Sequence, residues 1–373
     1  MGRYSLHHQL FRLFGLLILP VLYLLVRLAS GAPTIVESAF SNGLYPVIRN
    51  GISAVTRLVP FSLAEALIVS GAVFIVIFLV IRIFRAIFLR KDALIKLLSL
   101  IITLALLASW LLFFFYFSWG FNYYRPGIDK KLDLPEREYS AEELELVCYD
   151  LADRAARLRE KVVTDEAGVF KCDTGKVKEA VINAWTEFGA SRPSFKAEVP
   201  TAKSVFFSEA LSAAGISGIF IPFTEEPNIN VHQPSLYIPF SAAHETAHYM
   251  GFAREEDANF LAFLVLKDSA DPALAYSAAM HALVHCGNSL AKLDRDAYRI
   301  LRESYPEAVE RDLLAYSKYL EAYEDGAVYN TMNDLNDSYL KFNDQEKGVL
   351  SYEEDTSLIL RYYDSMRFFA DHQ

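Results

Sequence analysis

His244-Glu245-Thr246-Ala247-His248, followed by Gly251 and then by Glu255-Glu256-Asp257-Ala258-Asn259, is the stretch on which the reading of this 373-residue chain turns. Two histidines four apart on a helix project from one face and can bind a single zinc ion. The glutamate between them then stands beside the metal, placed to take a proton from metal-bound water. A catalytic zinc has three protein ligands and leaves a fourth position to water. One known arrangement supplies the third as a histidine six residues past the second, but that position is Arg254. The alternative is a carboxylate from the next helix, where Glu255, Glu256 and Asp257 compete. Helical phase favours Glu255, which shares a face with Ala258 and Ala262, small residues that allow close approach to the histidine helix. Glu256 shares its face with Phe260 and Phe263. Asn259 or Asp257 is placed to orient a ligand histidine through its other ring nitrogen.

Other histidines compete poorly. His281 and His285 repeat the four-residue spacing, but Leu283 and Val284 lie between them and no acid accompanies them, so they read as helix packing. His232, just upstream of the site, is a weaker candidate for substrate contact.

Working outward, Ser204–Phe207, Gly218–Phe223, the extended segment through Asn230 and Leu236–Pro239 are short β-prone runs. Gly218–Phe223 is the candidate cleft wall that pairs with an extended substrate backbone; a plain structural hairpin is the competing reading. Helices are predicted over residues 141–162, opened by a Ser140/Glu143 capping box, and over Lys176–Gly189, Glu255–Leu266, Pro272–His285, Glu307–Ala322, Asp334–Phe342 and Glu354–Phe369. A turn is expected around Gly348. The polar stretch from Arg125 to about Tyr139, with Pro126 and Pro135, reads as a linker.

Charge divides the chain at that linker. Residues 1–125 hold 11 Lys and Arg against 3 Asp and Glu; the remainder holds 25 against 43. A basic, apolar front joined to an acidic back is the pattern of a membrane anchor and a water-facing domain, and the acidic half argues against nucleic acid as a partner. Three apolar runs, at about 10–29, 63–84 and 97–119, are long enough to span a bilayer. Arg12 and Arg27, near the ends of the first, are expected to snorkel to the interfaces. A cleavable signal peptide ending near Ala29-Ser30-Gly31-Ala32 is the alternative for that run. Residues 31–61, with three prolines, lie along the bilayer or dip into it. The cluster Arg82, Arg85, Arg90, Lys91 and Lys96 marks the connector between spans two and three as cytoplasmic, which puts residues 126–373 outside the cytoplasm. Cys148, Cys172 and Cys286 are too widely spaced for a disulfide framework or a cysteine zinc site and read as packed thiols.

Three segments carry a resemblance: Gly215-Ile216-Ser217-Gly218-Ile219-Phe220-Ile221-Pro222-Phe223-Thr224-Glu225-Glu226, Pro239 through Gly251, and Glu255–Asn259. Together they resemble the membrane-anchored family catalogued as domain of unknown function 3810, itself similar to zinc metallopeptidases of the gluzincin type. Outer pieces extend the likeness: Glu37, Tyr45-Pro46 and Pro60-Phe61-Ser62 in the anchor, and Asn336–Lys341 and Gly348–Tyr352 near the C-terminus. The Glu-x-x-Ala-Asn element is similar to the third-ligand segment of such peptidases, which supports Glu255.

The expectation is therefore a multi-pass cell-membrane protein with an anchor (1–125) and an extracytoplasmic, mainly helical α+β, zincin-like domain (126–373). Zinc is held by His244, His248 and Glu255, and Glu245 is the general base for hydrolysis of a peptide or protein substrate through a metal-activated water. Tyr339 and Tyr352 are candidates for stabilising the oxyanion. The rival readings are a zinc-binding sensor or scaffold without chemistry, and an amidase acting on cell-wall peptides.

Overall fold

The computed structural model describes residues 6–88, 93–324, 326–342 and 352–372. Arg90 and Lys91, which entered the topology argument, and the expected turn at Gly348 lie outside them. The chain divides into two units, one of Met1–Thr56, Ser62–Arg125 and Pro222–Thr224, the other of Arg57–Phe61, Pro126–Ile221 and Glu225–Gln373.

In the first unit three helical stretches, His8–Ser30, Leu63–Arg85 and Leu94–Ser118, are long and apolar enough to cross a membrane. The first is interrupted, with a tight 3₁₀ turn at Phe14–Leu17 just before the α-helix Ile18–Ser30. Pro20 explains the break: it has no N–H to give back to residue 16, and its ring crowds that carbonyl. Arg12 differs from expectation. Its guanidinium donates to Thr103 Oγ1 at 2.7 Å, Ser99 Oγ at 3.2 Å and Gln9 Oε1 at 2.9 Å, fastening the first span to the third. In an apolar helix, Ser and Thr hydroxyls satisfy a cation more cheaply than exposure to lipid does. Residues 33–56 are helical throughout, with a widened π-type stretch over Val36–Leu44 leading into Tyr45–Thr56. Pro46 again removes a regular donor at that junction. Glu37 accepts two hydrogen bonds from Arg125, at 2.8 and 2.9 Å, a paired geometry that keeps the nearly buried guanidinium satisfied.

Beyond the single helical turn Ile128–Lys131, the described residues of the second unit form the helices α1 Ala141–Arg159, α2 Thr174–Ser191, α3 Ser208–Ala213, α4 Ile238–Tyr249, α5 Glu255–Leu266, α6 Pro272–Leu293, α7 Arg295–Glu303, α8 Glu307–Glu321, α9 Ala327–Phe342 and α10 Tyr352–Ser365. The capping box at Ser140 forms in both directions, and Leu144, Val147, Leu151 and Ala155 of α1 are buried. Helix α6 runs along α1, and α5 lies between α4 and α10. A buried polar knot ties this core. Asp312 of α8 accepts from Arg159 of α1 at 2.5 Å, from Tyr276 of α6 at 2.7 Å and from the Phe170 backbone N–H at 2.8 Å.

A small sheet completes the unit, with β1 Lys203–Ser204, β2 Gly218–Ile221 and β3 Glu226–Ile229 in the order β1-β3-β2. β3 pairs parallel with β1 and antiparallel with β2, Gly218 opposite Ile229 and Ile221 opposite Glu226. All four residues of β3 are buried, and α4 packs on β2 and β3.

Three expectations need correction. Leu236–Pro239 is not a strand: the chain turns there and α4 begins at Ile238, with Pro239 in its first turn. A fixed φ and a missing N–H suit proline to that position. The strand predicted over Ser204–Phe207 is only two residues long, because Phe206 and Phe207 swing outward as the chain enters α3. The segment after Arg125 is no loose linker. Ile128 is fully buried, its N–H donates to Asp257 Oδ1 at 3.0 Å, and Asp129 pairs with Arg361 of α10 at 3.1 Å. One apolar side chain and one backbone donor anchor a stretch whose letters are mostly polar.

Candidate metal centre

Helix α4 ends in a Schellman turn. Gly251 has φ +85°, its N–H bonds His248 O at 2.9 Å, and the Phe252 N–H bonds Ala247 O at 3.1 Å. This left-handed turn suits glycine, and it folds α5 back against α4. It also delivers the Phe252 carbonyl to His248 Nδ1 at 2.7 Å. A carbonyl only accepts, so Nδ1 carries the hydrogen and the Nε2 lone pair of His248 points the other way.

That lone pair meets α5. His244 Nε2 lies 3.2 Å from Glu255 Oε2, and His248 Nε2 lies 3.6 Å from Glu255 Oε1. The two rings stand nearly perpendicular, with centroids 4.7 Å apart. One ligand atom from each of His244, His248 and Glu255 falls within 4.8 Å of the others.

The three consecutive acids of α5 are thereby sorted. Glu255 faces the histidines, Glu256 lies 3.7 Å from Arg254, and Asp257 accepts from Arg254 at 2.8 and 2.9 Å as well as from Ile128. Arg254, at the position where a third histidine would stand, clamps the first turn of its own helix. Asn259 gives its amide to Asp355 Oδ2 of α10 at 2.7 Å and also hydrogen-bonds to His244, whereas the acceptor on His248 is the Phe252 backbone oxygen.

Glu245 lies buried on α4 against β2. A Cβ built on Gly218 would meet its Oε1 at 2.6 Å and its Cγ at 2.7 Å, so the strand backbone itself touches the carboxylate. Burial raises the Glu245 pKa to about 8; the Glu255 charge adds to this, while His244 and the Phe220 backbone N–H oppose it. Glu255 is held low despite burial, because His248 and His244 favour its charge. Burial works against a charge on His244, yet Glu255, Glu245 and Asn259 outweigh it and raise its pKa to about 8. His248 is lowered to about 4, chiefly by burial. One site thus holds a carboxylate that prefers a proton, a carboxylate that prefers its charge, and a histidine that stays neutral.

The remaining candidates lie elsewhere. His232 is exposed, with Nδ1 at 3.2 Å from Ser212 Oγ and 3.4 Å from the Tyr323 hydroxyl. Tyr339 is exposed on α9, and the Tyr352 side chain lies outside the described residues. All three cysteines are free; burial pushes Cys148 up to about 12 and raises Cys286 as well. What the sequence reading missed is an acid beside His281 and His285. Asp355, from α10, has its Oδ2 3.7 Å from His285 Nδ1. Burial raises the Asp355 pKa, against the hydrogen bond from Asn259. Seventy residues separate this acid from the pair, so no local pattern announces it.

A family model described as protein of unknown function, DUF3810, matches residues 40–360. No curated protein matches the chain, and no solved structure does.

Proposed function

This chain belongs to the DUF3810 family, and we propose that it is a membrane-anchored zinc peptidase of the gluzincin type, with a zincin-like domain held outside the cytoplasm. The observation that carries this reading is the convergence of His244, His248 and Glu255 beside a buried Glu245. The donor set fits zinc: two imidazole nitrogens and one carboxylate, three protein ligands in all, as catalytic sites use. The hydrogen bond to Phe252 O fixes the tautomer a metal requires of His248.

When bound, zinc supplies Lewis acidity that polarises the scissile carbonyl and acidifies a water molecule. Glu245 takes the proton of the attacking water and delivers it to the leaving amine. Strand β2 stands at the edge of the sheet and against Glu245, and on this reading an extended peptide backbone would pair along it. The basic residues Arg82, Arg85 and Lys96 support the cytoplasmic side of the connector and hence the opposite side for the peptidase domain.

The test is a peptide library, drawn from proteins and from cell-wall stems, offered to purified zinc-loaded protein. The parent should cleave, and Glu245→Gln should lose activity by a factor on the order of a hundred or more while keeping its metal. His244→Ala and His248→Ala should lose metal and activity together. Cleavage by Glu245→Gln at the parent rate would remove Glu245 as the base. A parent that loads zinc but cleaves nothing in either set would make the site a zinc-binding scaffold.

A further inference from the structure

We propose that His281, His285 and Asp355 form a second divalent-cation site, distinct from the first and suited to zinc or a neighbouring first-row transition metal. One ligand atom from each of the three lies within 4.8 Å of the others. Two come from successive turns of α6, and the third from α10, which packs against it.

The polar atoms of this cluster are the reason to assign it a ligand. His281 is 8% exposed, yet neither Nδ1 nor Nε2 has a hydrogen-bond partner. Asp355 is 2% exposed, and while its Oδ2 accepts from Asn259, its Oδ1 has no partner. A folded core rarely leaves an imidazole and a carboxylate oxygen unsatisfied side by side, because each was hydrated before folding. Apolar packing explains the ring faces only. Phe240 stacks on His281 with centroids 3.5 Å apart at 13°, and His285 stacks on it at 4.2 Å and 27°. Stacking covers the faces and leaves the nitrogen lone pairs at the ring edges, and rings this close to parallel must turn for both lone pairs to meet one ion. Two imidazoles and one carboxylate suit zinc and its first-row neighbours better than calcium or magnesium, which prefer oxygen ligands throughout.

The second cluster is supported by the helices that carry the first. Phe240 stands one turn before His244 on α4, and Asn259 stands one turn after Glu255 on α5. The cation would thus brace α6 and α10 against the two helices of the peptidase site.

The experiment uses the full-length protein in detergent, stripped with a chelator, dialysed against Co2+ and assayed for bound metal by mass spectrometry and visible absorption. The parent should retain about two Co2+ per chain. His285→Gln and Asp355→Asn should each retain about one, as should His244→Gln, with a different absorption spectrum, and the double variant His244→Gln/His285→Gln should retain none. Asp355→Asn keeps an oxygen to accept from Asn259, so it tests the ligand rather than the packing. If the variants fold poorly, the parent's stoichiometry decides alone: fewer than two metals overturns the claim of a second site alongside the first. A single metal lost in His244→Gln and retained in His285→Gln overturns it as well. One metal that survives His244→Gln but not His285→Gln or Asp355→Asn would uphold this site and sink the first.

Discussion

The Nδ1 atom of His248 and the carbonyl oxygen of Phe252 lie 2.7 Å apart across a single left-handed residue, Gly251. The turn that ends one helix therefore also aims His248, a proposed metal ligand. Gly251→Ala forces a side chain into φ +85°, a cost of about 1–2 kcal/mol. We expect a lower melting temperature and weaker zinc retention in competition with a chelator. Unchanged retention would mean that Phe252 does not orient His248.

Gly218 and Glu245 are related by contact of a different kind. A methyl group at 218 would sit 2.6–2.9 Å from three atoms of the carboxylate side chain, so Glu245 must move to admit it. Gly218→Ala should leave zinc content unchanged and lower turnover on the order of a hundredfold, the scale of an ångström's misplacement. Full turnover in that variant would show that Glu245 tolerates displacement and is not held in register by the strand.

Arg137 joins the start of α1 to α10, pairing with Glu143 and Asp364, each at 2.8 Å. Its hydrogen bonds hold both carboxyl groups below their ordinary range. The sign follows: stability from depressed carboxylates is present above their unfolded pKa and is lost as pH falls through the folded one. Arg137→Ala should therefore melt lower than the parent near neutrality, by an amount typical of a partly exposed pair, about 0.5–1 kcal/mol. The two should converge in acid below the usual carboxylate range. A gap that persists at low pH would assign the effect to packing of Arg137 on Tyr139, whose ring centroid is 4.1 Å away.

Topology is tested at Glu138, which is exposed. With Cys172, the only half-buried native thiol, changed to Ser, a cysteine at 138 should react with a membrane-impermeant reagent in intact cells. Reaction only after lysis would put the second unit in the cytoplasm.

The histidine helix, the boundaries of α5 and the Ser140 cap were legible because periodicity and capping residues are written locally. Helical phase was enough to tell which of the three acids faces the histidines, since they are separated by angle around α5. Other features had no local sign. The acceptor on His248 is a main-chain oxygen, and any residue at 252 would present one. Asp355 reaches His285 only through the packing of α10 on α6. Leu236–Pro239 looked β-prone because side-chain character was weighed above the proline, and Arg125–Tyr139 looked loose because Ile128 is a single apolar letter among charges.

The sorting of Glu255, Glu256 and Asp257 makes the short turn between α4 and α5 a counting device. If one residue inserted between Gly251 and Glu255 pushed the sequence one position along the seat that α5 occupies, the side chain facing each partner would change by about 100°. A different acid would then face the histidines, while Arg254 and Ile128 would each lose or exchange a carboxylate. Substitutions in the turn change one contact at a time, whereas an insertion or deletion reassigns all three at once. A change of length across Phe252–Arg254 should therefore be lethal to the site.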